Sequence, residues 1–138
     1  MGNPKISIIV PLFNEEKVFA PLIERLQKVI TSSGEDIDVI LVDDGSTDST
    51  ATLANNLATT DSLFTGLILS KNHGHQLAVT AGLSVATGTE AVLIIDGDLQ
   101  DPPELLMNFY VKLKEGFDVV YAVRKNRKES EMKKFFYW

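Results

Sequence analysis

The 138-residue chain contains no cysteine. A disulfide scaffold, a cysteine–zinc site and a thiol nucleophile are excluded on that ground alone. Long apolar runs are also missing: none approaches the ~18–20 residues of a membrane-spanning helix. The opening stretch MGNPKISIIVP is too short in its apolar part, and wrongly flanked, for a signal peptide. A soluble cytoplasmic chain is the default expectation. Bases are scarce over most of the length, with fifteen acids and five bases in residues 1–111. Such an acidic body argues against nucleic-acid binding, which needs a basic footprint. Neither a Gly-x-x-x-x-Gly-Lys-[Ser/Thr] loop nor a Gly-x-Gly-x-x-Gly after the first apolar run is present, which disfavours P-loop and dinucleotide-binding readings. Phosphates would here be held by a metal rather than by a glycine-rich loop.

What is present suffices for one domain with a core: 44% hydrophobic and 23% charged residues, with a net charge of −6. Residues 112–138 reverse the sign, with four acids and eight bases. The acids cluster, six of them from Glu35 to Asp48 and four from Asp96 to Glu104. Like charges packed this closely repel and invite a cation.

Short β-branched runs at 6–10, 37–42, 63–69, 91–95 and 119–123 predict five strands, and their near-continuous apolarity predicts burial on both faces. Between them, Val18, Phe19, Leu22, Ile23, Leu26, Val29 and Ile30 recur at helical spacing. Further helices are predicted at 49–59, 75–87 and 102–115. Gly34, Gly88 and Gly116 each follow a helical pattern, where a left-handed cap favours glycine. In Asp101-Pro-Pro-Glu104, Asp101 is expected to cap the fourth helix, with Glu104 as the acid of a capping box. Alternating strands and helices predict an α/β fold, an open, mostly parallel sheet with helices on both faces.

Ligands of such sheets bind outside the carboxyl ends of the strands, so the residues after each strand carry the argument. They are Pro11-Leu-Phe13-Asn14-Glu15, Asp43-Asp44-Gly-Ser-Thr-Asp48, Ser70-Lys71-Asn-His73-Gly-His75, Asp96-Gly97-Asp98-Leu-Gln100-Asp101 and, after the fifth, Arg124. Nearly all unusual polar residues of the body thus fall on one edge. Asp96 and Asp98, spaced by one residue, can share a hard divalent cation, with Gln100 adding a third oxygen. Mg²⁺ takes one or two carboxylates plus substrate phosphates in this manner. An EF-hand is excluded by counting: from Asp44 the sixth and twelfth positions are Ser49 and Asn55, and from Asp96 they are Asp101 and Met107. Asp48 is expected to be a helix N-cap. Asp43 and Asp44 are harder to explain structurally and could accept hydrogen bonds from a base or ribose. Asn14 and Glu15 read as the capped start of the first helix, with a ligand role open for Glu15. Lys71 could contact a phosphate; His73 and His75 read as loop packing or capping residues.

Three strings, Ser7-Ile-Ile-Val-Pro-Leu-Phe-Asn-Glu15, Val42-Asp-Asp-Gly-Ser-Thr-Asp48 and Asp96-Gly-Asp-Leu-Gln-Asp-Pro-Pro-Glu104, resemble the family 2 glycosyltransferases of GT-A fold. The polyprenyl-phosphate sugar transferases are the most similar subgroup, and Lys71-Asn-His-Gly74 with Ala78-Val-Thr-Ala-Gly82 resembles their third-strand segment. The resemblance implies a Rossmann-like nucleotide-sugar-binding half. Pro11, Phe13 (in place of the more usual tyrosine), Asn14 and Glu15 would border the nucleotide. Val42, Asp43 and Asp44 would hold base and ribose. Asp96, Asp98 and Gln100 would hold Mg²⁺ or Mn²⁺ on the donor diphosphate, with Gly97 letting the backbone approach. Lys71 would join the donor site, and Arg124 would meet the diphosphate or the acceptor phosphate. The implied reaction inverts the anomeric centre as sugar passes from a nucleoside-diphosphate sugar to a polyprenyl phosphate.

Family catalytic domains continue past the position of Trp138 through an acceptor half with a catalytic aspartate, and this subgroup goes on to transmembrane helices. The expectation is that residues 1–138 are the donor-binding part of a longer protein at the cytoplasmic face of a membrane, the catalytic base lying beyond Trp138. Alone, the chain is expected to bind nucleotide weakly with Mg²⁺ and to turn over no sugar. No nucleic-acid partner is expected, and an oligomer remains open. A non-catalytic nucleotide-sugar-binding module is the alternative. A receiver domain or an Asp-x-Asp phosphatase fits less well, because either would carry its acidic pair on the first strand.

Overall fold

The computed structural model describes residues 2–123. Four strands, β1 (Ile6–Leu12), β2 (Ile37–Asp43), β3 (Phe64–Ile68) and β4 (Ala91–Ile94), alternate with four helices, α1 (Glu16–Ser33), α2 (Thr50–Thr60), α3 (His75–Val85) and α4 (Leu106–Lys114). The sheet is parallel throughout, in the order β3-β2-β1-β4. Ile6 of β1 pairs with Ile37 of β2 and with Ala91 of β4. The predicted α/β architecture is therefore present, with helices on both faces.

Side-chain alternation divides the core in two. Ile6, Ile8, Val10 and Leu12 pack with Val39 and Leu41 against the apolar stripe of α1, Ala54 of α2, and Leu106 and Tyr110 of α4. Ile9, Ile40 and Val42 point the other way, onto Ala78 of α3. Leu26, fully buried at the centre of the α1 stripe, contributes about 2–3 kcal/mol by leaving water. That stripe carries the helix across Pro21, which stands on its exposed side. Gly34 ends α1 in the left-handed conformation at φ 69°, as its position predicts.

Four expectations are corrected. Burial on both faces holds for β1 and β2, but Ile68 of β3 and Val92 and Ile94 of β4 are about 40% exposed. These are edge strands, and α3 covers the β1–β2 centre of its face. Residues 119–123 form no strand in the described structure: Val119, Tyr121 and Val123 are more than 70% exposed. Apolar β-branched residues suit a sheet surface, but they cannot supply the neighbour a strand pairs with. Arg124, expected after that strand, lies outside the described residues. Gly88 is not a left-handed cap, because α3 ends earlier, at Val85. It lies instead where a Cβ would come within 2.6 Å of the Ser7 nitrogen, and its own N–H donates to the Ser7 hydroxyl at 2.9 Å. The capping box at α4 does not form either. A 3₁₀ turn at Pro103–Leu105 precedes the helix, and Glu104 is drawn away to Arg25 of α1.

Candidate functional site

The sheet order reverses at β1: β2 and β3 lie on one side and β4 on the other. A ligand crevice is expected outside the carboxyl ends of the strands at such a switch point. A cavity of about 250 Å³ lies there, lined by Pro11, Leu12, Phe13 and Glu15 after β1, Asp44 after β2, Asn72, Gly74, His75 and Ala78 around the start of α3, and Asp96, Gly97 and Asp98 after β4. Seven sequence-derived candidates thus come together: Pro11, Phe13, Glu15, Asp44, Asp96, Gly97 and Asp98.

The strand-end loops are built largely by one another. The backbone N–H of Asn14 donates to Ser46 Oγ at 2.9 Å, and Asn14 Oδ1 accepts from the Thr47 N–H at 2.8 Å and the Asp48 N–H at 3.3 Å. The Glu15 N–H donates to Thr50 Oγ1 and the Glu16 N–H to Asp48 Oδ2, while Glu16 Oε2 accepts from the Ser49 N–H. The starts of α1 and α2 therefore cap each other, which satisfies orphan helix-end donors that neither segment satisfies alone. Asn14 reaches this position with φ 53°, a left-handed conformation that asparagine tolerates better than most residues. Its amide is spent on the α2 loop, and it does not line the cavity. Asp48 acts one residue before the N-cap position, receiving both the N–H and the hydroxyl of Thr50. Desolvation opposes its ionisation, but the hydrogen bonds from Thr50 and Glu16 prevail and hold its carboxyl below the usual range.

Asp44 is 3% exposed, and both its oxygens are used: Oδ1 accepts the His73 N–H at 2.7 Å and Oδ2 the Gly74 N–H at 2.9 Å. Gly45 beside it has φ 66°, and a Cβ there would stand 2.3 Å from the Lys71 carbonyl carbon. These two residues seat the β3–α3 loop on the end of β2. Asp43 accepts the Ser46 N–H through Oδ2, and its buried Oδ1 has no hydrogen-bond partner among the described residues. Val42 is fully buried in the α3-side core, and Lys71 is exposed outside the cavity lining.

After β4 the loop is held differently. Asp98 Oδ1 accepts the Gln100 N–H at 2.9 Å, and Asp101 Oδ2 accepts the Asp96 N–H at 3.3 Å. Leu99 sits at φ 66°, strained for leucine, and packs against the main core. Glu104 forms a two-pronged pair with Arg25 at 2.6 and 2.8 Å, fastening the loop's far end to α1. That pair holds the Glu104 carboxyl below its ordinary value. At Gly97 the missing Cβ faces Leu12, whose Cδ2 would be 2.4 Å away. Glycine there lets the loop close onto β1, with a flexible side chain as the obstacle.

Among the described residues no lysine or arginine lines the cavity. Glu15 has its carboxyl pushed above the ordinary range, chiefly by desolvation and then by the negative charges of Asp98, Asp48 and Asp96. The Asp96 carboxylate is about half exposed. Among the described residues no three acid, histidine or cysteine side chains converge into a closed metal cage. The hard oxygen donors and the unbalanced charge fit a divalent ion that completes its shell from a ligand and water. The residues not anticipated in the site are Leu12, Asn72, Gly74, His75 and Ala78. His75 was visible as a polar residue after a strand, but only the seating of its loop by Asp44 shows where it sits.

Comparison with known proteins decides the family. Residues 7–137 match the family model described as Glycosyl transferase family 2. The chain belongs to glycosyl transferase family 2. Among curated relatives, the uncharacterized glycosyltransferase YkcC of Bacillus subtilis is 43% identical over 122 residues, 88% of this chain and 38% of that protein. The undecaprenyl-phosphate 4-deoxy-4-formamido-L-arabinose transferase of Salmonella paratyphi B is 37% identical, covering 94% of this chain and 40% of the relative. The chain thus spans about two-fifths of the length of these curated relatives. Among solved structures, the Pyrobaculum calidifontis mannosyltransferase PcManGT, in complex with GDP-Man and Mn²⁺, is similar with a TM-score of 0.58 and 30% identity, over 78% of this chain and 31% of that one. Staphylococcus aureus TarS in complex with UDP-GlcNAc gives 0.64 and 28%, over 80% and 31%. Family membership removes the receiver and phosphatase readings, and the sheet agrees: the receiver order is 2-1-3-4-5, whereas here β1 lies between β2 and β4.

Proposed function

We propose that residues 1–138 are the donor-binding part of an inverting glycosyltransferase that moves a sugar from a nucleoside-diphosphate sugar to a polyprenyl phosphate. The observation that carries this reading is the convergence of four strand ends on one acidic cavity, where Asp96 and Asp98 remain open to a ligand. The relative that acts on undecaprenyl phosphate supports the acceptor class. The solved neighbours bound to GDP-Man with Mn²⁺ and to UDP-GlcNAc support the donor class.

Asp96, Asp98 and Gln100 would hold Mg²⁺ or Mn²⁺, which when bound neutralises charge gathering on the nucleoside diphosphate as it leaves. The chain's own residues position. Phe13, 44% exposed, offers a ring face for a base at the mouth of the cavity. Asp43 keeps a buried acceptor with no partner among the described residues. Asp44 and the α1–α2 cross-capping keep the walls fixed, so that little reorganisation is needed on binding. A polyprenyl phosphate is already anionic, so orienting it matters more than removing a proton from it. The remainder of the catalytic apparatus, the membrane attachment and the cytoplasmic-face location are proposed for the longer protein. No helix among the described residues is long and apolar enough to cross a membrane.

A thermal-shift panel of nucleoside-diphosphate sugars with and without Mn²⁺ tests the reading. Metal-dependent stabilisation by at least one donor is expected, and Asp98→Asn should abolish it. No response from any donor, or an unchanged response in Asp98→Asn, refutes it.

A further inference from the structure

We propose that His75 is a donor-binding residue, its imidazole Nε2–H bonding a phosphate oxygen of the nucleoside diphosphate beside Asp96; the inference rests on the donor-binding reading above. His75 is the first residue of α3 and lines the cavity. Its Nε2 lies 3.7 Å from Asp96 Oδ1, too far for a hydrogen bond, and no hydrogen bond to another described residue holds the ring. An oxygen carried by a ligand at Asp96 would fall within its reach.

The loop that delivers His75 is fixed. Asp44 takes the N–H groups of His73 and Gly74, and Gly45 lies against the backbone of Lys71 and Asn72. The imidazole therefore stands over the cavity without any rearrangement of the fold. The acids around it supply the reason for a donor there. Among the described lining residues Glu15, Asp44, Asp96 and Asp98 bring carboxyl groups, and His75 brings a ring N–H donor to the same wall. Asp44 is compensated by two backbone N–H groups, whereas Asp98 accepts only the Gln100 N–H, and for Glu15 and Asp96 no such bond to a carboxylate oxygen is seen among the described residues. One divalent ion balances only two carboxylates, and a diphosphate brings further negative charge. An N–H donor from the protein on the phosphate side gives the diphosphate a partner besides the cation, and the bond strengthens as charge builds on the leaving diphosphate.

Titration calorimetry of the 138-residue chain with UDP and GDP in the presence of Mg²⁺, and with uridine and guanosine, tests this. The parent should bind one diphosphate more tightly than its nucleoside; binding neither diphosphate would overturn the donor-binding reading itself, together with what rests on it. His75→Ala should weaken the bound diphosphate about tenfold and leave nucleoside and Mg²⁺ affinities unchanged. His75→Gln, which retains an N–H donor, should recover part of the loss. With a binding parent, His75→Ala at parental diphosphate affinity overturns the proposal. So does an equal loss on the nucleoside, which marks a change of pocket shape, or a loss of Mg²⁺ affinity without nucleotide, which marks a metal ligand. Far-UV circular dichroism of both variants should match the parent; a variant that loses helix shows His75 to be structural and also overturns it.

Discussion

Asp43 and Asp44 close β2 much as Asp96 and Asp98 follow β4, yet the fold treats the two pairs differently. The first pair is almost wholly buried, and three of its four oxygens accept backbone N–H groups. The second pair is partly exposed; among the described residues only one carboxylate oxygen of the pair, on Asp98, accepts a backbone N–H, from Gln100. Carboxylates saturated by backbone donors are construction, because the fold depends on their charge. Carboxylates left crowded and underused lower stability by mutual repulsion, which a bound cation would relieve. The loop after β2 is thus a frame, and on the proposed reading the loop after β4 is an instrument mounted on it.

The contrast can be broken most directly at Asp44. Asp44→Ala removes two charge-assisted hydrogen bonds and should lower stability by about 2–4 kcal/mol in urea denaturation. Asp98→Asn should stay within about 0.5 kcal/mol of the parent while losing Mn²⁺-dependent donor binding. If Asp98→Asn unfolds as readily as Asp44→Ala, the distinction between frame and instrument fails. A smaller effect is expected at the mount of the second loop. Arg25→Met removes the partner of Glu104 at a partly exposed pair and should cost within about 1 kcal/mol. The Glu104 carboxyl is held below its ordinary value, so this cost is present above the ordinary carboxylate pKa. It should fade as pH falls through the depressed one, which denaturation over a descending pH series from pH 7 would show.

Glu15 should give the smallest change and the opposite sign. Its carboxyl is raised in the folded state, so its ionisation weakens the fold as pH climbs through that raised value. Glu15→Gln should melt slightly higher than the parent at neutral pH, and at the parental temperature below the ordinary carboxylate pKa, where the group is protonated in both states. Saturating Mn²⁺ should shrink the neutral-pH gain. A variant less stable than the parent at pH 7 would show that Glu15 belongs to the frame.

Much of the fold was legible in local pattern. The β-branched runs marked β1 to β4, the helical stripe marked α1, and Gly34 marked its end. Each depends on interactions within one segment or on burial that the segment itself demands. Residues 119–123 misled for the complementary reason: their pattern states what a sheet would accept, whereas pairing requires a neighbouring edge. The site was legible as a set of strand-end residues, and seven of them line one cavity. Asn14 and Glu104 read locally as caps of their own helices. In the fold Asn14 serves α2 and Glu104 serves α1, because partners 33 and 79 residues away offered better-placed groups.

By itself the sequence determined the alternation of strands and helices, the side of the sheet on which its polar residues gather, and membership in the glycosyltransferase family. The tertiary structure decided which carboxylates are consumed by backbone donors, which remain open, and which imidazole overlooks them. The reason is physical. Periodicity and turn chemistry act over a few residues, whereas the desolvation and pairing of a charge depend on whatever the folded chain brings within a few ångströms of it.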